Sequence, residues 1–151
     1  MNNFYPARQI VPNLWIGSAA DAADRAAAKR RNIKLVINCS RDIAPTLAST
    51  VPLYRIPIDD WTGESKELMK HLPRVVTAID AVLAGGGGVL VHCFAGMQRS
   101  AAVVAAYMMF KYGHTAAEAM RRIQQTKPET FRPVPTFEKT LQQWERRLAR
   151  P

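Results

Sequence analysis

The stretch from Val89 to Tyr112 constrains the fold most strongly, because a strand, a loop and a helix are predicted there in direct succession. Val89, Leu90 and Val91 form an apolar triplet, which is typical of a central parallel strand buried on both faces. A loop containing Gly96 follows, and helical sequence begins at about Arg99. A strand that passes through a short loop into a helix is the repeating unit of α/β folds.

The rest of the chain repeats this alternation. Extended segments are predicted at 9–17, with a turn at Pro12-Asn13, at 34–38 and at 53–58, where Pro57 indicates a strand end. Helices are predicted at 19–31, 67–84, 115–125 and 135–150, and Pro73 either kinks the second of these or begins its main part. The segment 40–52 is predicted as a loop. The sequence thus predicts one α/β domain over 1–151, with a central, mostly parallel sheet and helices on both faces.

The net charge of +9 permits an anionic partner, including nucleic acid. Nucleic acid is not favoured, because no basic run is long or interleaved with aromatic residues, and most of these charges are interpreted as solvated helix faces. No apolar run approaches the roughly 20 residues of a membrane span. The first residues, MNNFYPARQ, lack the apolar region of a secretory signal. We therefore expect a cytoplasmic protein, with Cys39 and Cys93 reduced.

The loop from Cys93 to Arg99 has the composition of an anion site. A strand–loop–helix junction directs backbone N–H groups and the positive end of a helix dipole at one small volume. The guanidinium of Arg99 can hold two oxygens of a phosphate. A thiol at Cys93 that faces these groups should be a nucleophilic thiolate at neutral pH, and Ser100 can donate a hydrogen bond to its sulfur. The amides of the loop residues complete the predicted phosphate site: Phe94, Ala95, Gly96, Met97 and Gln98.

This loop lacks a proton donor, which must come from elsewhere in the chain. No cluster of His, Cys and carboxylate residues has the spacing of metal ligands, so no metal is expected. No cofactor is expected either, because the Cys93 thiolate, Arg99 and the loop amides can perform the role that a metal usually has.

The segment HCFAGMQRS resembles the signature of the protein tyrosine phosphatase superfamily, which it matches at five fixed positions: His92, Cys93, Gly96, Arg99 and Ser100. NLWIGSAADA, LVINCS, YRIPIDD and RPVPTFEKTLQQWE follow the order of the compact dual-specificity branch. The resemblance implies the fold of that family. It also implies a phosphocysteine intermediate on Cys93, with His92 orienting the loop.

In that family a carboxylate after an Ile-Pro-x-x-Asp stretch is the general acid, and Asp60 is the matching position. Asp59 remains the competitor. The resemblance further implies a shallow pocket, which phosphoserine, phosphothreonine and phosphotyrosine can all enter, and a phosphorylated protein as the substrate.

Two positions depart from the family pattern. Gln98 stands where relatives commonly have Ser or Gly, and its side chain could narrow or re-aim the rim of the pocket. Val134 stands where relatives often have an Asn that braces the phosphate loop, so the brace must come from another group or be absent. Cys39 is interpreted as an inert core thiol, with a disulfide to Cys93 under oxidation, as some relatives form, as the alternative.

Three other functions stay open. The same chemistry could act on an RNA 5′-triphosphate or on a phosphoinositide. The domain could also bind phosphoproteins without turning them over. The last alternative is weakened because Cys93, Arg99 and Asp60 are all present.

Overall fold

The computed structural model describes residue 3, residues 5–45 and residues 51–150. Five strands form one sheet in the order β1-β2-β5-β3-β4. Only the pair β1 and β2 is antiparallel, and the other three pairs of neighbours are parallel. This confirms the predicted mostly parallel sheet. The strands are β1 (Arg8–Val11), β2 (Leu14–Gly17), β3 (Ile33–Asn38), β4 (Leu53–Arg55) and β5 (Gly88–His92).

Helices cover both faces of this sheet, as predicted. Residues of the first two helices pack with Ile33, Val36 and Leu90 in one cluster. The four longer helices pack with Leu35, Val91 and their neighbours in the larger cluster on the other face. The helices are α1 (Ala19–Ala22), α2 (Arg25–Arg30), α3 (Ser65–Ala84), α4 (Arg99–Tyr112), α5 (Ala116–Thr126) and α6 (Glu138–Leu148), with a 3₁₀ turn at Thr62–Glu64.

Strand β5 is buried along its whole length and lies between β2 and β3. Val89 and Val91 contribute to the larger core, whereas Leu90 contributes to the smaller one. Because side chains alternate between the two faces of a strand, a strand at the centre of a covered sheet has to be apolar throughout. The helix that follows, α4, is also buried from Ser100 to Met109. The segment between them is therefore held at both ends by the core.

The prediction of a single helix over 19–31 is wrong, because this segment forms the two short helices α1 and α2. Ser18 caps α1 in a capping box with Asp21. Asp24 then caps α2, since its carboxylate accepts a hydrogen bond from the N–H of Ala27 at 3.0 Å. Two N-caps within seven residues divide a segment whose alanine content favours helix throughout.

Other boundaries shift by smaller amounts. Helix α3 begins at Ser65, two residues before the predicted start, and continues through Pro73. Helix α6 begins at Glu138, because the segment from Pro135 forms a turn. Strand β4 ends at Arg55, three residues before the end of the predicted extended segment 53–58, so the strand stops before Pro57. Of the predicted loop at 40–52, residues 46–50 lie outside the described residues.

Candidate active site

The loop between β5 and α4 lies at the carboxyl end of the central strand. Its tight path requires glycine at position 96, where φ is +72°. A Cβ atom on Gly96 would lie 2.7 Å from the carbonyl oxygen of Gly17. The end of β2 and the loop are thus in close backbone contact.

Three carbonyl groups of this loop are hydrogen-bonded within the described part of the protein, whereas its N–H groups are not. The carbonyls of Phe94, Met97 and Gln98 accept hydrogen bonds from backbone N–H groups, those of Ala19 (3.0 Å), Phe131 (2.9 Å) and Ala102 (2.9 Å) respectively. In contrast, the N–H groups of residues 94–98 donate to no protein atom among the described residues. Unpaired N–H groups beside the N-terminus of α4 form a cradle for an anion.

Cys93 and Ser100 face each other beneath this cradle. The Sγ atom of Cys93 lies 3.2 Å from the Oγ atom of Ser100. Only 3% of Cys93 is exposed, and Ser100 is fully buried. Cys93 lines a pocket of about 340 Å³, whose other lining residues include Asp60, Arg99, Arg132, Val134 and Thr136.

Arg99 connects the phosphate loop to the segment that carries the two candidate acids. Its Nη1 atom donates to the carbonyl oxygen of Ile58 at 3.0 Å. Ile58 directly precedes Asp59 and Asp60. The guanidinium is half-buried at the first position of α4, which brings a fixed positive charge to the pocket.

The structure separates the two candidate acids. Asp60 lines the pocket together with Cys93. Asp59 is paired with Arg41, whose Nε atom lies 3.5 Å from a carboxylate oxygen of Asp59. Arg41 is itself held by Glu64 at 2.8 Å. Asp60 therefore joins the cysteine and arginine of the pocket, and Asp59 belongs to a surface ion-pair group.

His92 lies behind the loop and is buried. Its Nδ1 atom lies 3.4 Å from the carbonyl oxygen of Cys93, to which the Nδ1–H tautomer donates. Burial lowers the pKa of His92 to about 4. The imidazole is therefore neutral at physiological pH, and its side chain contacts the start of the loop through Nδ1.

Cys39 follows β3 and is fully buried. Its N–H donates to the carbonyl oxygen of His92 at 2.7 Å, one residue before Cys93. Burial and, to a smaller extent, the neighbouring Cys93 raise the pKa of the Cys39 thiol well above its ordinary value. Both cysteines are free thiols, as predicted, and the disulfide under oxidation stays a prediction.

The side chain of Gln98 has a function that the sequence did not reveal. Its Nε2 atom donates to the carbonyl oxygens of Arg132 and Val134, both at 3.0 Å. Its Oε1 atom accepts a hydrogen bond from the N–H of Thr136 at 3.1 Å. Because Val134 replaces the Asn of relatives, a brace for the loop is expected from another group or not at all, and the hydrogen bonds of Gln98 link the loop to the 132–136 turn. No local pattern indicates it, because the partners lie 34 to 38 residues away.

Within the described part of the chain, no group of three or more His, Cys, Asp or Glu side chains could hold a metal ion. No helix among these residues is long and apolar enough to cross a membrane.

The sequence and structure of the chain are also similar to those of known phosphatases. The sequence model of the dual specificity phosphatase catalytic domain matches residues 14–147. The chain therefore belongs to the dual-specificity protein phosphatases of the protein tyrosine phosphatase superfamily. This confirms the family and the enzyme class that the resemblance of HCFAGMQRS and the other quoted segments predicted.

Individual relatives show the same similarity. Human dual specificity phosphatase 28 is 34% identical over 143 residues, which cover 95% of this chain and 80% of that protein. A crystal structure of human DUSP28 superposes with a TM-score of 0.88 at 32% identity and covers 96% of each chain. Human protein phosphatase Slingshot homolog 3 is also 34% identical, over 136 residues that cover 90% of this chain, but the match spans only 20% of that protein's length.

Proposed function

We propose that this protein hydrolyses phosphotyrosine and phosphoserine or phosphothreonine monoesters in phosphoproteins through a phosphocysteine intermediate on Cys93. The observation that carries the proposal is the meeting of three groups in one pocket: the Cys93 thiol, the Arg99 guanidinium and the Asp60 carboxyl. These groups supply a nucleophile, a phosphate ligand and a proton donor. They derive from two regions at the carboxyl edge of the sheet: Cys93 and Arg99 from the loop between β5 and α4, and Asp60 from the segment after β4.

In the first step, the Cys93 thiolate attacks phosphorus. A P–S bond forms and the P–O bond to the substrate side chain breaks, while Asp60 transfers its proton to the departing oxygen. The N–H groups of residues 94–98, the Arg99 guanidinium and the N-terminus of α4 stabilise the charge on the other phosphate oxygens. Because phosphoserine has a poorer leaving group than phosphotyrosine, it depends more strongly on the proton from Asp60.

In the second step, the Asp60 carboxylate accepts a proton from water as the water oxygen attacks phosphorus. The P–S bond breaks, and the electron pair returns to the sulfur of Cys93. The hydroxyl of Ser100, 3.2 Å from that sulfur, donates a hydrogen bond to the forming thiolate. Inorganic phosphate leaves, and Asp60 is again protonated for the next cycle.

The residue composition of the chain favours this proposal over the alternative functions. A phosphoinositide carries further ring phosphates, but the loop residues 94–98 include no lysine to bind them. An RNA 5′-triphosphate calls for aromatic and basic residues along a strand-binding groove, and the sequence has no such stripe. A module that only binds phosphoproteins would have no use for an acid beside the thiol. Two free thiols fit a cytoplasmic location, which is part of the proposal.

The experiment is turnover of p-nitrophenyl phosphate by the purified chain in the presence of EDTA, followed by release of phosphate from phosphotyrosine and phosphoserine peptides. We expect turnover by the wild type and none by Cys93→Ser. Gln142→Ala, a substitution of an exposed residue on α6, is the control and should behave as wild type. Absence of turnover by the reduced wild type on all three substrates would contradict the proposal and favour a binding module.

A further inference from the structure

Arg132 presents a second positive charge at the active-site pocket. It lies in the turn between α5 and α6 and lines the pocket together with Cys93 and Arg99. Its Nε atom donates to the carbonyl oxygen of Pro128 at 2.8 Å, which fixes the guanidinium at one of its three nitrogens. The side chain is exposed and forms no ion pair with any of the described residues. Its two Nη groups are therefore available to a ligand.

Gln98 holds the Arg132 backbone at this place. One amide group contacts three backbone groups of the turn: it donates to the carbonyls of Arg132 and Val134 and accepts from the N–H of Thr136. The N–H of Phe131 also donates to the carbonyl of Met97 at 2.9 Å. The phosphate loop and the turn are thus joined by four hydrogen bonds, so the position of the Arg132 backbone is set relative to the phosphate loop.

The charges that line the pocket are unbalanced. The lining residues include two arginines, Arg99 and Arg132, and one carboxylate, Asp60. In the proposed reaction Arg99 binds the phosphate that is transferred, and Asp60 is the acid. No anion in this scheme meets Arg132. A guanidinium with free Nη groups binds carboxylate and phosphate oxygens well, because its planar N–H fork matches their geometry.

We propose that Arg132 forms a second anion subsite, which binds a carboxylate or phosphate group flanking the scissile phosphate of a phosphopeptide, and that Gln98 is the positioning residue that holds this subsite at the pocket. The inference rests on the proposed function, since it names the substrates that the same pocket prefers. It goes beyond that function because a phosphate loop alone recognises only the phosphate that is removed.

The test compares three phosphotyrosine peptides that differ only in the residues flanking the phosphotyrosine: alanine, glutamate or phosphoserine. For the wild type, kcat/KM should be about three- to tenfold higher for the glutamate and phosphoserine peptides than for the alanine peptide, the range expected for one exposed, charge-assisted contact. A larger gain for phosphoserine identifies a second phosphate as the preferred ligand, and equal gains identify any flanking anion. Both preferences should decline as salt is added.

Arg132→Gln should reduce the ratio of kcat/KM between anionic and neutral peptides to about one. Arg146→Gln removes the same charge from an exposed position on α6 and is the matched control, which should retain the wild-type ratio. The ratio is the readout because it cancels any loss of chemistry that is common to all peptides.

Gln98→Met preserves the length of the side chain but removes its hydrogen bonds to the turn. We expect the ratio to decline as in Arg132→Gln, and the double variant to show no further decline. If Gln98 were only structural, kcat would fall equally for all three peptides with the ratio unchanged, which would overturn its positioning role.

An equal kcat/KM for the three peptides in the wild type would overturn the subsite. So would a decline of the ratio in Arg146→Gln equal to that in Arg132→Gln, because the effect would then come from net charge. Turnover of p-nitrophenyl phosphate in the same preparation shows separately that the proposed phosphatase function holds.

Discussion

The Sγ atom of Cys93 and the Oγ atom of Ser100 lie 3.2 Å apart, although seven residues separate them in sequence. The first follows the central strand β5 and the second lies in the first turn of α4. Both elements are buried in the core, which fixes the two ends of the loop between them. The fold therefore places a hydroxyl beside the sulfur that, in the proposed reaction, leaves phosphorus in the second step.

We expect Ser100→Ala to slow the breakdown of the phosphoenzyme by about 10- to 100-fold, the value of one hydrogen bond to a charged group. The formation of the phosphoenzyme should be less affected, because the Cys93 thiolate is consumed, and not released, in the first step. Rapid-quench kinetics with p-nitrophenyl phosphate should then show a burst of p-nitrophenol followed by a slow steady state. Equal slowing of both phases would contradict the assignment of Ser100 to the second step.

Substitution of the two candidate acids should give different results. Asp60→Asn removes the proton donor, and we expect kcat to fall by about 10²- to 10⁴-fold on phosphoserine peptides. The fall should be smaller on p-nitrophenyl phosphate, whose leaving group needs no proton. Asp59→Asn is the matched control, since it breaks only the exposed pair with Arg41 and should change kcat by less than about twofold. The reverse order would identify Asp59 as the acid.

Gly96→Ala and Gly113→Ala separate backbone strain from steric contact. Both glycines have φ of +72°. A Cβ on Gly113 would have no neighbour within 4 Å, whereas one on Gly96 would lie 2.7 Å from the carbonyl oxygen of Gly17. Gly113→Ala should therefore cost about 1–2 kcal/mol of the free energy of unfolding, from the left-handed backbone alone.

Gly96→Ala should cost about 1–3 kcal/mol more, as for other overpacked sites, and should also abolish turnover by displacing the N–H groups of the loop. Urea unfolding and the p-nitrophenyl phosphate assay measure the two effects. An active Gly96→Ala variant as stable as Gly113→Ala would contradict the steric argument, because it would show that a Cβ at position 96 is tolerated beside the carbonyl oxygen of Gly17.

The two cysteines should differ in reactivity. Because burial raises the pKa of the Cys39 thiol, it remains protonated at pH 7, and it is also inaccessible. We expect iodoacetamide to alkylate Cys93 alone and inorganic phosphate to protect it. Peptide mapping by mass spectrometry measures both effects. Alkylation of Cys39 at a comparable rate in the folded protein would contradict the inert assignment.

The buried His92 should make stability depend on pH. Its pKa is about 4 in the folded protein and close to 6.5 when unfolded. Between these values the unfolded chain binds a proton that the folded chain does not, so the free energy of unfolding falls as the pH decreases from 6.5 to 4. The loss should approach roughly 3 kcal/mol. His92→Asn should remove this part of the pH dependence, as measured by urea unfolding at pH 7, 5.5 and 4.5, and an unchanged slope would contradict it.

Much of the candidate site could be located from the sequence because these parts of it are contiguous. Cys93, the loop amides, Arg99 and Ser100 lie within eight residues, between a strand and a helix whose apolar patterns are clear. Helix α4 has the predicted bounds because Gly96 and the buried run from Ser100 define its start and its face.

Features that depend on distant contacts could not be predicted. The different surroundings of Asp59 and Asp60 depend on Arg41, about 20 residues earlier, which pairs with Asp59. The contacts of the Gln98 side chain depend on backbone groups at 132–136. The division of α1 from α2 was missed for a different reason. The alanine content of 19–31 favours one helix, and the competing caps at Ser18 and Asp24 divide it.

The central claim is that phosphate is bound covalently to Cys93 during turnover. The most direct test is acid quenching of Ser100→Ala during hydrolysis of a phosphotyrosine peptide, followed by mass spectrometry of the proteolytic fragments. We predict a phosphate adduct on the fragment that contains Cys93, which is absent from Cys93→Ser and disappears when the substrate is exhausted. Turnover with no adduct, or with an adduct on another residue, would contradict the account.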